Sequence, residues 1–366
     1  MSSERADWAL LALTPGIGPV GVLRLIDTFG SAAAAASANL SQLQRCLGDE
    51  AARALAGRVA TADVEAALAW ADAPGCFLLT LADHDYPTAL AEAGHAPPLL
   101  FGRGRRELLA RPMLAMVGSR HATPQGRQTA EEFAHGLAQA GYTIVSGLAS
   151  GIDGAAHRGA LGTAASTIAV IGTGIDRVYP ASHRQLAHQL AEGGLILSEF
   201  PLGTAPLAHN FPRRNRIIAG LSRGCLVVEA NVNSGSLITA RLAAEVGREV
   251  LAIPGSIHNP QARGCHRLIK DGAKLVETVD DVLDEIGRPA PDAPGAASTN
   301  TAVADGTAAE VAETPLLVQL GYDPVDVDSL AARLELTAGE VYAMLLELEL
   351  EGRVASLPGG RFQRLS

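Results

Sequence analysis

The chain has only four cysteines in 366 residues, Cys46, Cys76, Cys225 and Cys265, and no Cys-x-x-Cys pair, so neither a zinc ribbon nor a disulfide framework is indicated. Its ten histidines show no paired spacing of the kind that holds zinc, so no metal is expected. No apolar run is long enough to span a membrane. The N-terminus, Met-Ser-Ser-Glu-Arg-Ala-Asp-Trp, carries no positive stretch followed by an apolar core, and a cytoplasmic location is expected. Nucleotide-handling signatures are missing too. There is no Gly-x-x-x-x-Gly-Lys-[Ser/Thr], and the first long apolar strand runs into Gly118-Ser-Arg-His-Ala-Thr where a dinucleotide fold would carry Gly-x-Gly-x-x-Gly. Ser146, Ser234 and Ser236 have no evident base and orienting acid, which leaves a nucleophilic triad without support.

One further absence is local. The protein has a formal charge of -10, yet Pro201 to Val228 contains no acidic residue and does contain Arg213, Arg214, Arg216 and Arg223. A polyanion responds to the local patch rather than the total charge, so this stretch is where a nucleic acid would be met. After it, the apolar run from Leu226 reads as a buried strand, and Gly235 and Ser236 open a helical pattern. A strand feeding a Gly-Ser turn and a helix N-terminus offers backbone N–H groups and the positive end of a helix dipole to a phosphate.

At this length two or three domains are expected, with no need of covalent staples. Residues 1–85 read as helical. Within them Leu13-Thr-Pro-Gly-Ile-Gly-Pro-Val-Gly has the shape of a helix-hairpin-helix turn, but no Lys or Arg lies between Thr14 and Val22, and such turns also simply join helices. From residue 86 to 287 apolar strands alternate with helices: Met113–Val117, Tyr142–Val145, Thr167–Ile171, Leu195–Leu197, Leu226–Glu229 and Glu249–Ile253. Continuous apolar strands separated by helices mean a parallel sheet covered on both faces, and ligands bind beyond the carboxyl ends of its strands. Nearly every strand here ends in glycine with a small or polar neighbour, so Gly118-Ser-Arg, Gly147–Gly154, Gly172-Thr-Gly, the arginine stretch and Gly235-Ser should converge on one face.

Candidate catalytic groups are few. Asp153 and His157, four apart, fit an acid-base or metal pair, though a capping carboxylate beside a histidine is the commoner arrangement. Glu199 and Glu229 stand at strand ends, where each fits a ribose contact, a base, or a partner for an arginine of the 213–216 stretch. Binding accounts for these residues more simply than turnover, and no catalytic residue or cofactor is expected.

Taken in order, Gly118-Ser-Arg, Ser146-Gly-Leu-Ala-Ser-Gly-Ile-Asp, Gly172-Thr-Gly-Ile-Asp-Arg-Val-Tyr-Pro, Ser198-Glu-Phe-Pro, Phe211-Pro-Arg-Arg-Asn-Arg-Ile-Ile-Ala-Gly-Leu-Ser, Ser234-Gly-Ser-Leu-Ile-Thr-Ala and Ile253-Pro-Gly closely resemble the DprA (Smf) family. The resemblance covers the whole 86–287 region. It implies an α/β fold with an extended Rossmann-like sheet, a helical SAM-like domain before it and a winged helix after it. It also implies a non-enzymatic protein that binds single-stranded DNA, forms a homodimer and loads the RecA recombinase during natural transformation. Carried over by residue, the family's strand-binding arginine falls on Arg120, and its basic motif falls on Phe211, Arg213, Arg214, Asn215 and Arg216. Arg184 is the nearest candidate for a second basic contact beyond the Tyr-Pro turn. With Gly147, Gly235 and Ser236 from the glycine-rich strand ends, these are the expected DNA-binding residues. Arginine can fork onto phosphate oxygens, and Phe211 can stack on an unpaired base or serve as a core anchor. Two positions depart from the family pattern, His183 after the Tyr-Pro turn and His266 in the Gly-Cys-x-x-Leu-Ile segment.

Residues 288–314 are rich in Ala, Pro, Gly, Asp and Thr and read as a flexible linker. Residues 315–366 carry three helical patterns and a hairpin around Pro358–Gly360, the outline of a winged helix. Its third helix holds Glu340, Glu347, Glu349 and Glu351 near it and no Lys or Arg, so a protein partner is expected there rather than duplex DNA. The rival reading is a nucleotide-hydrolysing enzyme of the related phosphoribohydrolase group, whose Pro-Gly-Gly-x-Gly-Thr-x-x-Glu motif this chain lacks.

Overall fold

A computed structural model describes residues 2–94, 96–289 and 314–365; the expected linker lies outside them except at its ends. Six helices come first, α1 (Ser2–Leu13), α2 (Pro19–Phe29), α3 (Ala32–Ala36), α4 (Leu40–Leu47), α5 (Asp49–Ala56) and α6 (Thr61–Ala71). Their starts follow local chemistry. Asn39 caps α4 in a reciprocal capping box with Gln42, and Gly30 ends α2 in the left-handed region. Trp8, Leu11, Leu25 and Leu55 are buried together with Leu78, Phe101 and Ile196 of the sheet, so one apolar core joins the helices to the domain that follows. Each fully buried leucine in it contributes about 1.5–3 kcal/mol.

The strands β1 (Cys76–Thr80), β2 (Leu99–Gly104), β3 (Met113–Val117), β4 (Thr143–Ser146), β5 (Thr167–Val170), β6 (Leu195–Ser198), β7 (Gly224–Val227), β8 (Glu249–Ala252) and β9 (Lys274–Leu275) form one sheet in the order β1-β2-β6-β5-β4-β3-β7-β8-β9. Between them run α7 (Thr88–Glu92), α8 (Pro124–Gln139), α9 (Ile152–Ala160), α10 (Arg184–Gly193), α11 (Asn210–Leu221), α12 (Ser236–Glu245) and α13 (Arg263–Lys270), with α14 (Val279–Ile286) closing the domain. From β6 across to β9 every pairing is parallel, as expected of the apolar runs from β3 to β8; the short exposed edge strand β9 is one the sequence reading does not hold. The sequence reading holds no strand at Leu99–Gly104; this strand turns antiparallel onto β6 and carries β1 as an antiparallel edge.

Alternation along β3 explains why it reads as one unbroken apolar run. Met113, Ala115 and Val117 enter the core on one face, while Leu114 and Met116 enter the core on the other, against α8 and α9. The chain crosses from β3 to β4 in one direction and later returns to pair β7 on the opposite side of β3. Strand order therefore reverses between the carboxyl ends of β3 and β7, which is where an open α/β sheet forms its crevice.

The last unit comprises α15 (Pro315–Leu320), β10 (Val325–Asp326), α16 (Val327–Leu334), α17 (Ala338–Leu350), β11 (Val354–Leu357) and β12 (Arg361–Arg364). Its sheet runs β10-β12-β11 around a core of Leu316, Leu317, Leu330, Val341, Leu345 and Phe362, three helices and a two-stranded wing. Gln363 on the wing donates to Gln125 of α8 at 2.9 Å, and Ser256 Oγ donates to Asp323 at 2.9 Å, so the unit rests on the sheet domain. Among the described residues no helix is long and apolar enough to cross a membrane.

Candidate nucleic-acid interface

At the reversal of strand order lies an open cleft of about 570 Å³. Its walls are the β3 end with Ser119 and Arg120, the β7–α12 turn with Asn231, Ser234 and Gly235, and the first turns of α11. Six of the expected binding residues line it: Arg120, Phe211, Arg214, Asn215, Gly235 and Ser236. Gly147 lines a smaller adjoining cavity of about 70 Å³ with Arg120, Gly172, Tyr179, Phe211 and Arg214.

The motif Phe211-Pro-Arg-Arg-Asn-Arg, to which the sequence reading assigned no helix, is the first turns of α11. Proline is tolerated in a helix's first turn, where its missing N–H has no intrahelical partner to lose. Helical geometry corrects the picture of one arginine patch, because successive residues turn by about 100° and send neighbouring side chains in different directions. Arg213 points to solvent with its guanidinium 5.4 Å from the Phe200 ring centroid. Arg214 points inward and is only 4% exposed, with Nη1 donating to the Val170 carbonyl at 2.6 Å. Arg216 is half-buried in an ion pair with Glu199, so one of the alternatives open for that glutamate is the one seen. Burial pulls the Arg216 guanidinium down and pushes the Glu199 carboxyl up, each partly offset by its partner. Arg184 starts α10 in solvent and lines neither cavity.

Arg214 is held by the site's own backbone. A Cβ on Gly147 would collide with its guanidinium, so this glycine is the seat of the arginine. Burial pushes Arg214 down to about 10, opposed by the nearby Asp153 carboxylate. It therefore stays protonated at neutral pH and places a positive charge beneath the cleft floor. Asp153 accepts from the backbone N–H groups of Gly147 (3.1 Å) and Ala149 (3.3 Å), which ties down the β4–α9 turn.

The aromatic part centres on Phe211. Its ring packs over Gly172, lies 5.5 Å from the Tyr179 ring and takes the Arg120 guanidinium at 5.5 Å on another side. Phe211 is half-buried, whereas Tyr179 is 46% exposed. Tyr179 is a cleft residue that the sequence reading left out; the signal was an aromatic at the Tyr179-Pro180 turn directly beyond Gly172-Thr-Gly.

Helix termini do less than sequence suggests. At the start of α12 Ser234 Oγ accepts from Ser236 N at 3.4 Å and meets Ser236 Oγ at 2.6 Å, so the turn satisfies part of its own N-terminus. At the start of α8 the Glu229 carboxylate accepts from Thr123 N (2.9 Å) and Thr123 Oγ1 (2.7 Å). Among the described residues no arginine forms an ion pair with it, though the charge of Arg127 acts on it from nearby, and a Cβ on Gly126 would strike it. The anion position after the first parallel strand, where a Rossmann nucleotide site holds phosphate, is thus filled by the chain's own carboxylate.

Asp153 and His157 do not act as a pair. The Thr167 hydroxyl donates to the Ile144 carbonyl at 2.6 Å, so its oxygen accepts from His157 Nδ1 at 2.7 Å and His157 Nε2 is left a buried acceptor with no partner. Burial, with positive neighbours adding, pushes His157 down to about 3. The unfolded chain then binds a proton that the folded one refuses between about pH 6.5 and 3, and stability falls as pH drops through that window, by about 2 kcal/mol from pH 6.5 to 5. His157→Phe should flatten this part of a melting-temperature profile against pH; an unchanged slope would remove the assignment. His183 bonds the Leu148 carbonyl through Nδ1 at 3.0 Å and His266 bonds the Gly255 carbonyl through Nε2 at 2.8 Å, so both departures from the family pattern are accommodated by backbone acceptors. Among the described residues no three His, Cys, Asp or Glu side chains gather as a metal site.

Comparison with known proteins follows this geometry. Residues 77–287 match the family described as DNA recombination-mediator protein A, and residues 288–360 match the DprA winged helix domain. The chain is 43% identical over 298 residues to protein Smf of Escherichia coli, covering 81% of this chain and 80% of that one. It is 50% identical over 206 residues to the DNA processing protein DprA of Streptococcus pneumoniae, covering 56% of this chain and 73% of that one. Among solved structures, DprA of Streptococcus pneumoniae superposes with a TM-score of 0.69 at 39% identity, covering 76% of this chain and 97% of that one. DprA of Helicobacter pylori, studied for its single-stranded DNA binding mode, superposes with a TM-score of 0.52 at 29% identity, over 57% of this chain and 95% of that one.

Proposed function

Because the chain belongs to the DNA recombination-mediator protein A family, we propose that it binds single-stranded DNA in the cleft at the strand-order reversal, without sequence preference and without catalysis. The observation that carries this is the cation-aromatic cluster of Arg120, Phe211 and Tyr179 at the mouth, with Arg214 charged beneath. Arginines take phosphates and splayed bases stack on rings, a combination that suits a strand with unpaired bases and not a duplex. Arg120, Asn215 and the Gly235-Ser236 turn serve as direct contacts, Arg213 as an outer phosphate contact, and Gly147, Arg214 and Arg216 as the frame. Arg184 lies on a different approach to the strand. The protein works as a homodimer that hands strands to the RecA recombinase during transformation, in keeping with the mediator role for which the family is named.

The winged helix supports a protein partner. In α17 Tyr342, Leu346 and Leu350, four residues apart, are 54%, 55% and 83% exposed, beside Glu347 and Glu349. That face repels phosphate and suits a partner with apolar and basic groups.

Fluorescence anisotropy with labelled single-stranded and duplex oligonucleotides at several salt concentrations tests the main reading. Tight, salt-sensitive single-strand binding with weaker duplex binding is expected. No binding of either at moderate salt would overturn it and direct attention to nucleoside monophosphates as substrates.

A further inference from the structure

Between the winged helix and the sheet domain runs a second cleft of about 820 Å³. One wall is Arg120, His121, Thr123 and Arg127 from the β3–α8 turn and the start of α8, with His258 from the β8–α13 loop; the other is Ser356, Pro358 and Arg361 of the wing. Arg120, His121, Arg127, His258 and Arg361 are all exposed. Asp323 is the single acidic lining residue, and it is already bonded by Ser256 Oγ. Arg120 and His121 line both this cleft and the first one, so the two are continuous around the β3 turn.

The geometry points to one single-strand track that leaves the cation-aromatic site at Arg120, passes over His121 and Arg127, and ends under the wing at Arg361. The winged helix thus lengthens the single-strand site instead of reading duplex DNA on its own. Charge argues for this occupant: the cleft is basic on both walls, while α17 of the same unit carries Glu340, Glu347 and Glu349 and no Lys or Arg. No residue of α17 lines the cleft, and its Glu349 is engaged by the backbone N–H of Ser356 at 3.2 Å. The pins Gln363–Gln125 and Ser256–Asp323 hold the wing at the distance that leaves the cleft open.

This inference rests on the single-strand reading proposed above. The test uses the full chain and thymidine oligomers of about 4 to 16 nucleotides, the span of single-strand site sizes. The unmodified protein should gain affinity with length after the first cleft is filled. Arg361→Glu should bind short oligomers normally, lose about tenfold on long ones and show a salt slope there shallower by about 0.7. Arg127→Glu, on the opposite wall, should lose affinity in the same length-dependent way. Binding by Arg361→Glu that matches the unmodified protein at every length, or weakens equally at all lengths, overturns the track while leaving the first cleft in place. A larger loss on duplex than on single strands also overturns it. Failure of the unmodified protein to bind any single strand overturns the underlying reading and this one with it.

Discussion

Arg214→Met should lower the melting temperature by about 6–12 °C, corresponding to roughly 3 kcal/mol for a sheet domain of this size. Methionine fills much of the arginine's volume, so the loss reports charge and hydrogen bonding more than a cavity. It leaves the Val170 carbonyl without its donor and leaves Asp153 buried with no positive neighbour beneath the cleft. Burial already pushes the Asp153 carboxyl up, with Arg214 as the largest opposing influence, so losing the arginine pushes it higher. Adding Asp153→Asn should recover part of the loss, and a double-mutant cycle followed by thermal denaturation measures the coupling. Strict additivity would mean that the two side chains do not stabilise one another. DNA binding by Arg214→Met is to be compared only at temperatures where the variant is folded, because Arg214 is buried in the floor of the cleft.

Phe211 carries the second large effect. Phe211→Leu keeps an apolar anchor over Gly172 but removes the ring face, and is expected to weaken single-strand binding by about 1–3 kcal/mol, some 5- to 150-fold, with an unchanged salt slope. Arg120→Ala should weaken binding by a different signature, lowering the salt slope by about 0.7 as one phosphate contact is lost. Anisotropy titrations at four or more salt concentrations separate the two. If Phe211→Leu binds normally yet melts earlier, the ring is a core anchor and the stacking platform passes to Tyr179, whose exposed face lies beside it.

The parts of the molecule that were legible in its sequence are those governed by near neighbours. The six parallel strands from β3 to β8 showed because they carry apolar runs that the sheet buries, as the split of β3 between two cores demonstrates, whereas the exposed parallel edge strand β9 did not. β2 did not show, because Leu99-Leu-Phe-Gly-Arg-Gly ends in glycines and polar character at an antiparallel position whose partner, β6, lies nearly a hundred residues on. The arginines were visible as a cluster but not as three different environments, since only the helix sorts them into solvent, core and ion pair. Glu229 was left open between a ribose contact, a base and an arginine partner, and its bond to Thr123 depends on a contact across more than a hundred residues of chain. The cleft beneath the wing belongs to no local pattern, because its walls come from segments that meet only when the winged helix docks.

The carboxylate of Glu229 at the head of α8 sets a rule about competitors. A fold of this architecture offers one cradle where a mononucleotide gains most of its grip, and here that cradle is occupied from within. A free nucleotide is therefore expected to find no grip at that cradle. A polymer that engages several cations and rings at once pays the cost of association once and collects them all. On the single-strand reading proposed above, Glu229 would favour a strand over its own building blocks although it does not line the cleft.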